Sequence, residues 1–526
     1  MNKNIKIAAI TAVMGVMALS SCGSQEGVIN VWTGFGTSMT TAFENVLQDY
    51  RDAHPDTGFK IVHTGQGGYD NLLSTISGSV STRTYPQLAV AYPDHMAQYN
   101  ESSILFSLDN YIKEDNVDLN DYYQNYLKEC QEIVDGQTMG LPFNKSTEVL
   151  TTNQTFVDVL IAMTKGTGTE NEITKVPTTW QEVETFGLKA LNALSNVTKY
   201  KRDTTSKQLV ADGKGAFNAV LAQNANGEVK CYSNKASLES GYSIKVDLTS
   251  VSKNDFRVLS YDSQSNFFIT IVRQWGGTYT EIINQGGNEV GVMRYKSEST
   301  ANALMFFKRL FDEGLIGIPS TFGEASYTST PFKAFKTIFT IGSSAGVSNC
   351  VPADNLFEVE INPIPFNGDK PDCKYVISQG TNLVMFKNTD EASRKETWNL
   401  MKALSYDPVM NATFAKSSGY IPVTKNAYET DLYQDYLEDE TLTGTAKTMR
   451  DAINVNFDDY LADNSTWTQF VDPGFVGSSS IRANVGSIMG AVRDLDAKKV
   501  DIKDTKTYLD LLETYYQLDK GHIPQN

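Results

Sequence analysis

The chain has 526 residues, more than one hydrophobic core ordinarily organises, so at least two lobes are expected. Its 45 basic residues stand against 62 acidic ones for a formal charge of −17, which argues against a nucleic-acid partner, because phosphates need a basic surface. Its four histidines and five cysteines show no Cys-x-x-Cys pair, no His-Glu-x-x-His helix and no metal-ligand spacing, so neither a cofactor nor enzymatic chemistry is expected.

In chain order, Lys3 and Lys6 open a positive start and residues 7–19 form an uncharged apolar run. That run is shorter than the ~20 residues a membrane span needs and reads as a secretory signal. Leu19-Ser20-Ser21-Cys22 resembles a bacterial lipobox. It implies removal of residues 1–21, a diacylglycerol on the Cys22 sulfur, and a short linker over 22–27 tethering the chain to a membrane on its extracytoplasmic side. The remaining chain carries 43 basic and 62 acidic residues, a formal charge of −19. No later segment is apolar enough to cross a membrane.

Residues 28–32 predict a first strand. Thr37 or Ser38 caps a predicted helix whose Phe43, Val46, Leu47 and Tyr50 share one face, and His54-Pro55 ends it. A strand over 59–63, a helix over 70–80 and a strand over 88–92 follow. Alternating strands and helices predict a parallel sheet with helices on both faces, and ligands of such sheets sit beyond the carboxyl ends of the strands. That places Trp32-Thr33-Gly34, residues 66–69 and Pro93-Asp94 at one rim. The pattern returns in a helix over 301–312, a strand over 335–341 and a strand over 375–386 broken by Gly380. Helices over 391–404 and 505–518 complete it. Residues 196–265 are polar and mixed, and read as an inserted surface subdomain. Cys130, Cys231, Cys350 and Cys373 allow one or two disulfides in an exported chain, with the pairing open, or buried thiols.

Several segments resemble the extracellular solute-binding protein family 1, and within it the glycerol-3-phosphate-binding members. They are residues 59–64 followed by Gly68-Tyr69-Asp70, residues 140–147, residues 179–182, residues 341–346, Ser378-Gln379-Gly380, residues 418–425 and Ser480-Ile481-Arg482. The resemblance implies an α/β fold, a two-lobed clamshell of the periplasmic-binding-protein type II, each lobe a central mostly parallel sheet flanked by helices. Lobe I would comprise 28–141 and 379–425, and lobe II 142–378 and 426–526. The chain would cross near Leu141, near Gly380 and between Thr424 and Asp435. A monomer of this kind captures a small solute and delivers it to the permease subunits of an ABC importer.

The resemblance also nominates a site. Arg482, after three serines, offers a bidentate fork suited to phosphate or carboxylate. Ser344, with Ser343 as the neighbouring alternative, lies where a strand becomes a helix, which is an anion site or a plain cap. Ser146 lies at the first crossing. Gly380 admits close backbone approach or marks a bulge. Tyr420 offers a phenol. Tyr69 and Asp94 match positions that contact polyol hydroxyls, with Pro93 aligning as well as Asp94, and a carboxylate accepts two such bonds. Trp32 packs on the ligand or in the core. Lys145 adds charge near an anion or faces solvent. The Trp-rich segment of phosphate–polyol binders is replaced by residues 261–268, so an aromatic platform is absent or falls to Tyr261 or Phe267. The expected solute is therefore a glycerol-3-phosphate-like phosphate ester or a sugar. The alternatives are a neutral oligosaccharide or, in another class, adhesion through the insertion.

Overall fold

The structure, a computed structural model, describes residues 27–523 apart from 199, 203–208, 212–216 and 253–254. Cys22 and the leader lie outside the described residues. The first half of lobe I follows the alternation read above: β1 (Val28–Thr33), α1 (Thr37–Ala53), β2 (Lys60–Gly65), α2 (Tyr69–Ser79), β3 (Leu88–Ala91) and α3 (Pro93–Glu101). β1 pairs in parallel with β2 and with β3. The helical face predicted for α1 is the one buried, with Phe43, Val46, Leu47 and Tyr50 almost fully removed from water.

Two long strands join the lobes. Leu141–Asn153 and Tyr375–Met385 run antiparallel, Gly380 opposite Lys145 and Gln379 opposite Ser146. On the far side Phe339–Ser343 pairs antiparallel with the first of them, and Leu259–Tyr261 continues the sheet in parallel. Together with Ile316–Gly317, Val359–Asn362 and Thr468–Phe470, these strands form one ten-stranded sheet among the described residues, parallel at its two ends and antiparallel where the two crossing strands meet each other and their neighbours. Leu141 and Phe143 belong to the core of lobe I, whereas Val149 and Leu150 belong to that of lobe II. Between them lie Asn144, Lys145, Ser146, Thr147 and Glu148, all buried. A run of five buried polar residues in a strand is costly unless each finds a partner, so this stretch is specified by what it faces. The first crossing therefore sits at 144–148, a little beyond the expected Leu141. A third, smaller cluster holds Ala412, Ile421, Tyr433 and Ile453.

Three sequence expectations are corrected. Gly380 does not break its strand: the ladder runs through it, with a register shift between Thr381 and Asn382. Its φ is +98°, and a Cβ there would stand 1.8 Å from the Asn144 carbonyl oxygen. Gly380→Ala is expected to destabilise by at least about 1–3 kcal/mol, read as a lower denaturation midpoint, because left-handed strain and a backbone clash combine. The strand expected over 335–341 begins later, at Phe339, because Phe335 turns the chain with φ +56°. The insertion is shorter than 196–265. Leu259–Tyr261 is a strand of the main sheet, and Val251, Phe256 and Val258 fill the core of lobe II. The inserted part centres on a three-stranded antiparallel sheet of Val220–Asn224, Val229–Tyr232 and Tyr242–Asp247 with its own small apolar cluster. No disulfide joins Cys130, Cys231, Cys350 or Cys373, and Cys130 and Cys350 are buried thiols.

Candidate functional site

A cleft of about 1340 Å³ opens between the lobes. Its floor is built by the two crossing strands. Side chains alternate along a strand, so Ser146 and Glu148 point to the same side and both reach the cleft. Ser378, Gln379 and Gly380 line it from the second strand.

Tyr69, Asp94, Ser146, Gly380, Tyr420 and Arg482, drawn from residues 69 to 482 of the chain, are brought together here. Tyr69, first residue of α2, packs edge-on against Tyr92 with ring centroids 4.9 Å apart. The phenols of Tyr69 and Tyr420 meet beside Asn144, and burial pushes both above the usual tyrosine range. Asp94 stands in the first turn of α3 and accepts from the His95 N–H at 3.0 Å. Arg482, in the helix Ser478–Asp494, donates to the Asn266 side-chain oxygen and lies 3.9 Å from Asp472.

Of the remaining nominees, one lines the cleft and three do not. Ser343, not Ser344, lines the cleft. The Ser343 hydroxyl donates to Ser146 at 3.2 Å and accepts from the Ala345 N–H at 3.3 Å. Ser344 is buried behind it, accepting from the Thr147 N–H at 3.2 Å. Residues 342–346 also spell Gly-x-Ser-x-Gly, the pattern of a nucleophile elbow. Ser344 is instead buried against the Thr147 amide rather than presented at an exposed turn, which is not the arrangement of a nucleophile elbow. Lys145 neither faces solvent nor reaches the cleft, because its ammonium is fully buried 2.7 Å from Glu129. Trp32 packs, partly buried, on the core of lobe I outside the cleft. Tyr261 and Phe267 supply no platform: both are fully buried and stack on each other at 4.4 Å.

Other lining residues were not foreseen. Glu148 accepts from the Tyr261 phenol at 2.5 Å and from the Asn266 amide at 3.1 Å, and burial pushes its carboxyl up to about 7. Asp262 follows its strand directly, accepts from the Thr328 N–H and hydroxyl at 2.5 and 3.0 Å, and is pushed up to about 6 by burial. Asp472 is shared between Arg273 at 3.4 Å and Arg482. Alternation along the first crossing strand would have pointed from Ser146 to Glu148. Nothing local marks Asp472. His95 Nδ1, Tyr279 Oη, Ser378 Oγ, Gln379 Nε2 and Asp472 Oδ2 all belong to lining residues and are buried without a hydrogen-bond partner. Each such atom costs about 1–3 kcal/mol if it stays unpaired. No group of His, Cys, Asp and Glu among the described residues has the geometry of a metal site.

Two α/β lobes joined by crossing strands, with a polar cleft lined from both, define a clamshell binding protein. The chain belongs to the bacterial extracellular solute-binding protein family, whose model matches residues 45–441. Membership implies a place outside the cytoplasm, and among the described residues no helix is long and apolar enough to cross a membrane. Solved structures agree on the fold. UgpB from Mycobacterium tuberculosis in complex with glycerophosphocholine is 14% identical with a TM-score of 0.63, over 94% of this chain and 98% of that one. The cyclic alpha-maltosyl-1,6-maltose binding protein from Arthrobacter globiformis is 14% identical with a TM-score of 0.61, over 94% and 98%. The maltose/maltodextrin-binding domain from Bdellovibrio bacteriovorus bound to maltotriose is 13% identical with a TM-score of 0.58, over 94% and 100%. No curated protein sequence matches the chain.

Proposed function

We propose that this protein is the solute receptor of an ABC importer, held to the membrane through lipid on Cys22, and that its solute is a neutral oligosaccharide. The observation that carries the sugar reading is the charge of the cleft. Six carboxylates line it, and Arg482 is the one lysine or arginine among the lining residues. Glu129 is neutralised by Lys145, and Asp472 shares two arginines. Asp70, Asp94 and Asp262 remain, with Glu148, whose carboxyl is pushed up to about 7 and is charged only in part at neutral pH. A carboxylate suits sugar hydroxyls, from which it accepts hydrogen bonds in pairs. A phosphate ~4 Å from one of them meets a repulsion of roughly 4 kcal/mol at an effective dielectric constant near 20. Arg482 and Arg273 share Asp472, which leaves one positive charge against the carboxylates that remain. The balance moves from the phosphate ester favoured by sequence to the neutral oligosaccharide.

A phosphodiester is the second reading. It is favoured by Ser478, Ser479 and Ser480, which line the cleft at the start of the helix that carries Arg482, since a helix N-terminus attracts anions. Thermal melts of the purified protein against maltose, maltotriose, cyclic glucans, glycerol 3-phosphate, glycerophosphocholine and inorganic phosphate decide between them. A ligand at ~1,000 times its Kd stabilises by about 4.1 kcal/mol. Upward shifts with neutral sugars and none with phosphates are expected. Shifts with phosphate esters alone, abolished in Arg482→Ala, would replace the first reading by the second. Delivery would then follow from closure, which requires that the solute bind the closed arrangement better than the open one.

A further inference from the structure

We infer that Tyr327 is the specificity-determining clasp of the cleft, its ring packing on an apolar face of the bound solute as lobe II closes against Tyr92 and Tyr420 of lobe I. On the reading above, that face belongs to a pyranose ring.

The sequence has 26 tyrosines, and most described ones are buried or partly buried. Tyr327 is 71% exposed, the most exposed large hydrophobic residue among those described. Of the six such residues, it alone lines the cleft. Its backbone is nevertheless anchored. The next residue, Thr328, is fully buried, giving its N–H and hydroxyl to Asp262, with its hydroxyl 2.7 Å from that of Thr340. An exposed aromatic ring on a fixed root loses little backbone freedom when it is covered. Burying an aromatic side chain removes about 150–250 Å² from water, a gain that waits on something entering the cleft.

Position supplies the partner. Tyr92 and Tyr420, from lobe I, line the same cleft as Tyr327. The platform expected at Tyr261 or Phe267 is locked in the core, and Tyr279 is buried with only its hydroxyl unpaired. Phe35, Tyr69, Tyr92 and Tyr420 also line the cleft, and among these aromatic residues Tyr327 is the one with its ring largely exposed. Asp262, which anchors its root, lines the cleft beside it. A pyranose presents an apolar C–H face bordered by hydroxyls, which fits a ring flanked by a carboxylate.

The test is calorimetric titration of wild type, Tyr327→Ala and Tyr327→Phe with whichever compound of the panel shifts the wild-type melt, together with melts of the unliganded proteins. Tyr327→Ala is expected to weaken binding about tenfold or more while leaving the unliganded melt unchanged, and Tyr327→Phe to stay within about threefold of wild type. Binding by Tyr327→Ala within about twofold of wild type overturns the inference. So does a Phe variant as weak as the Ala variant, which would assign the effect to the hydroxyl. The sugar reading is judged separately. If only phosphate esters bind the wild type, that reading falls and the clasp stands on whether Tyr327→Ala weakens the ester. A wild type that responds to no compound overturns both.

Discussion

Glu129→Ala is expected to destabilise the protein by about 3–5 kcal/mol, among the largest losses available to one surface-independent substitution. The reason is the ammonium it leaves behind. Lys145 is fully buried at the crossing, its nitrogen 2.7 Å from Glu129, and Glu129 also accepts from Asn382 on the other crossing strand at 3.2 Å. Lys145 is tied further by its backbone, whose carbonyl accepts from the Ile421 N–H at 2.9 Å. Removing the carboxylate strands a charge in the place where both crossing strands and the 421 segment meet. Removing both charges is different, because apolar side chains of similar volume avoid two desolvation costs. The double variant Glu129→Leu with Lys145→Met is expected to recover most of the loss. Urea denaturation of the three proteins checks this. A double variant as unstable as Glu129→Ala would show that the pair's hydrogen bonds, not its charge balance, hold the crossing.

The second large effect is on pH. The Glu148 carboxyl is pushed up to about 7 from an ordinary 4.5, chiefly by burial, and Asp262 up to about 6 from 3.8 for the same reason. Below the ordinary carboxylate range each group is protonated in both folded and unfolded protein and contributes nothing. As pH rises through ~4 to ~7, the folded protein holds protons that the unfolded chain releases, so stability falls, and above about 7 the cost is complete. For Glu148 that cost is on the order of 3 kcal/mol. The wild-type urea midpoint is therefore expected to drop between pH 5 and pH 8, and Glu148→Gln to flatten most of the drop. A variant with the wild-type slope would assign the dependence elsewhere. The same groups line the cleft, so a bound sugar that supplies hydroxyl donors to the Glu148 carboxylate should release a proton near neutral pH.

The residues that line the cleft were partly legible because the cleft hangs on local features. Segments after strand ends line the cleft, and Tyr69 and Asp94 come four and three residues after β2 and β3, at the start of α2 and in the first turn of α3. A glycine between polar residues in an apolar strand marks a backbone contact, and Gly380 makes one with Asn144. The choice between Ser343 and Ser344 was not legible, because a one-residue step along a strand reverses the direction of the side chain. The direction of Lys145 was illegible for another reason. An ammonium beside a cleft and one buried against Glu129 look alike in sequence, and the partner lies sixteen positions away.

What the sequence determined by itself is the class of fold and the order of its elements. Hydrophobic periodicity is a local property, so α1, β1 and the helices Glu298–Asp312 and Glu391–Ser405 are specified by their own spacing. What only the tertiary structure decided is the charge of the cleft and, with it, the solute proposed. Glu148, Asp262 and Asp472 come from three distant segments, and the guanidinium of Arg482 is engaged by two residues, Asn266 and Asp472, one of them more than two hundred positions before it. Net charge counts acids without locating them. Electrostatics in a cleft depends on distances of a few ångströms and on burial, and both come into being only when the chain has closed on itself.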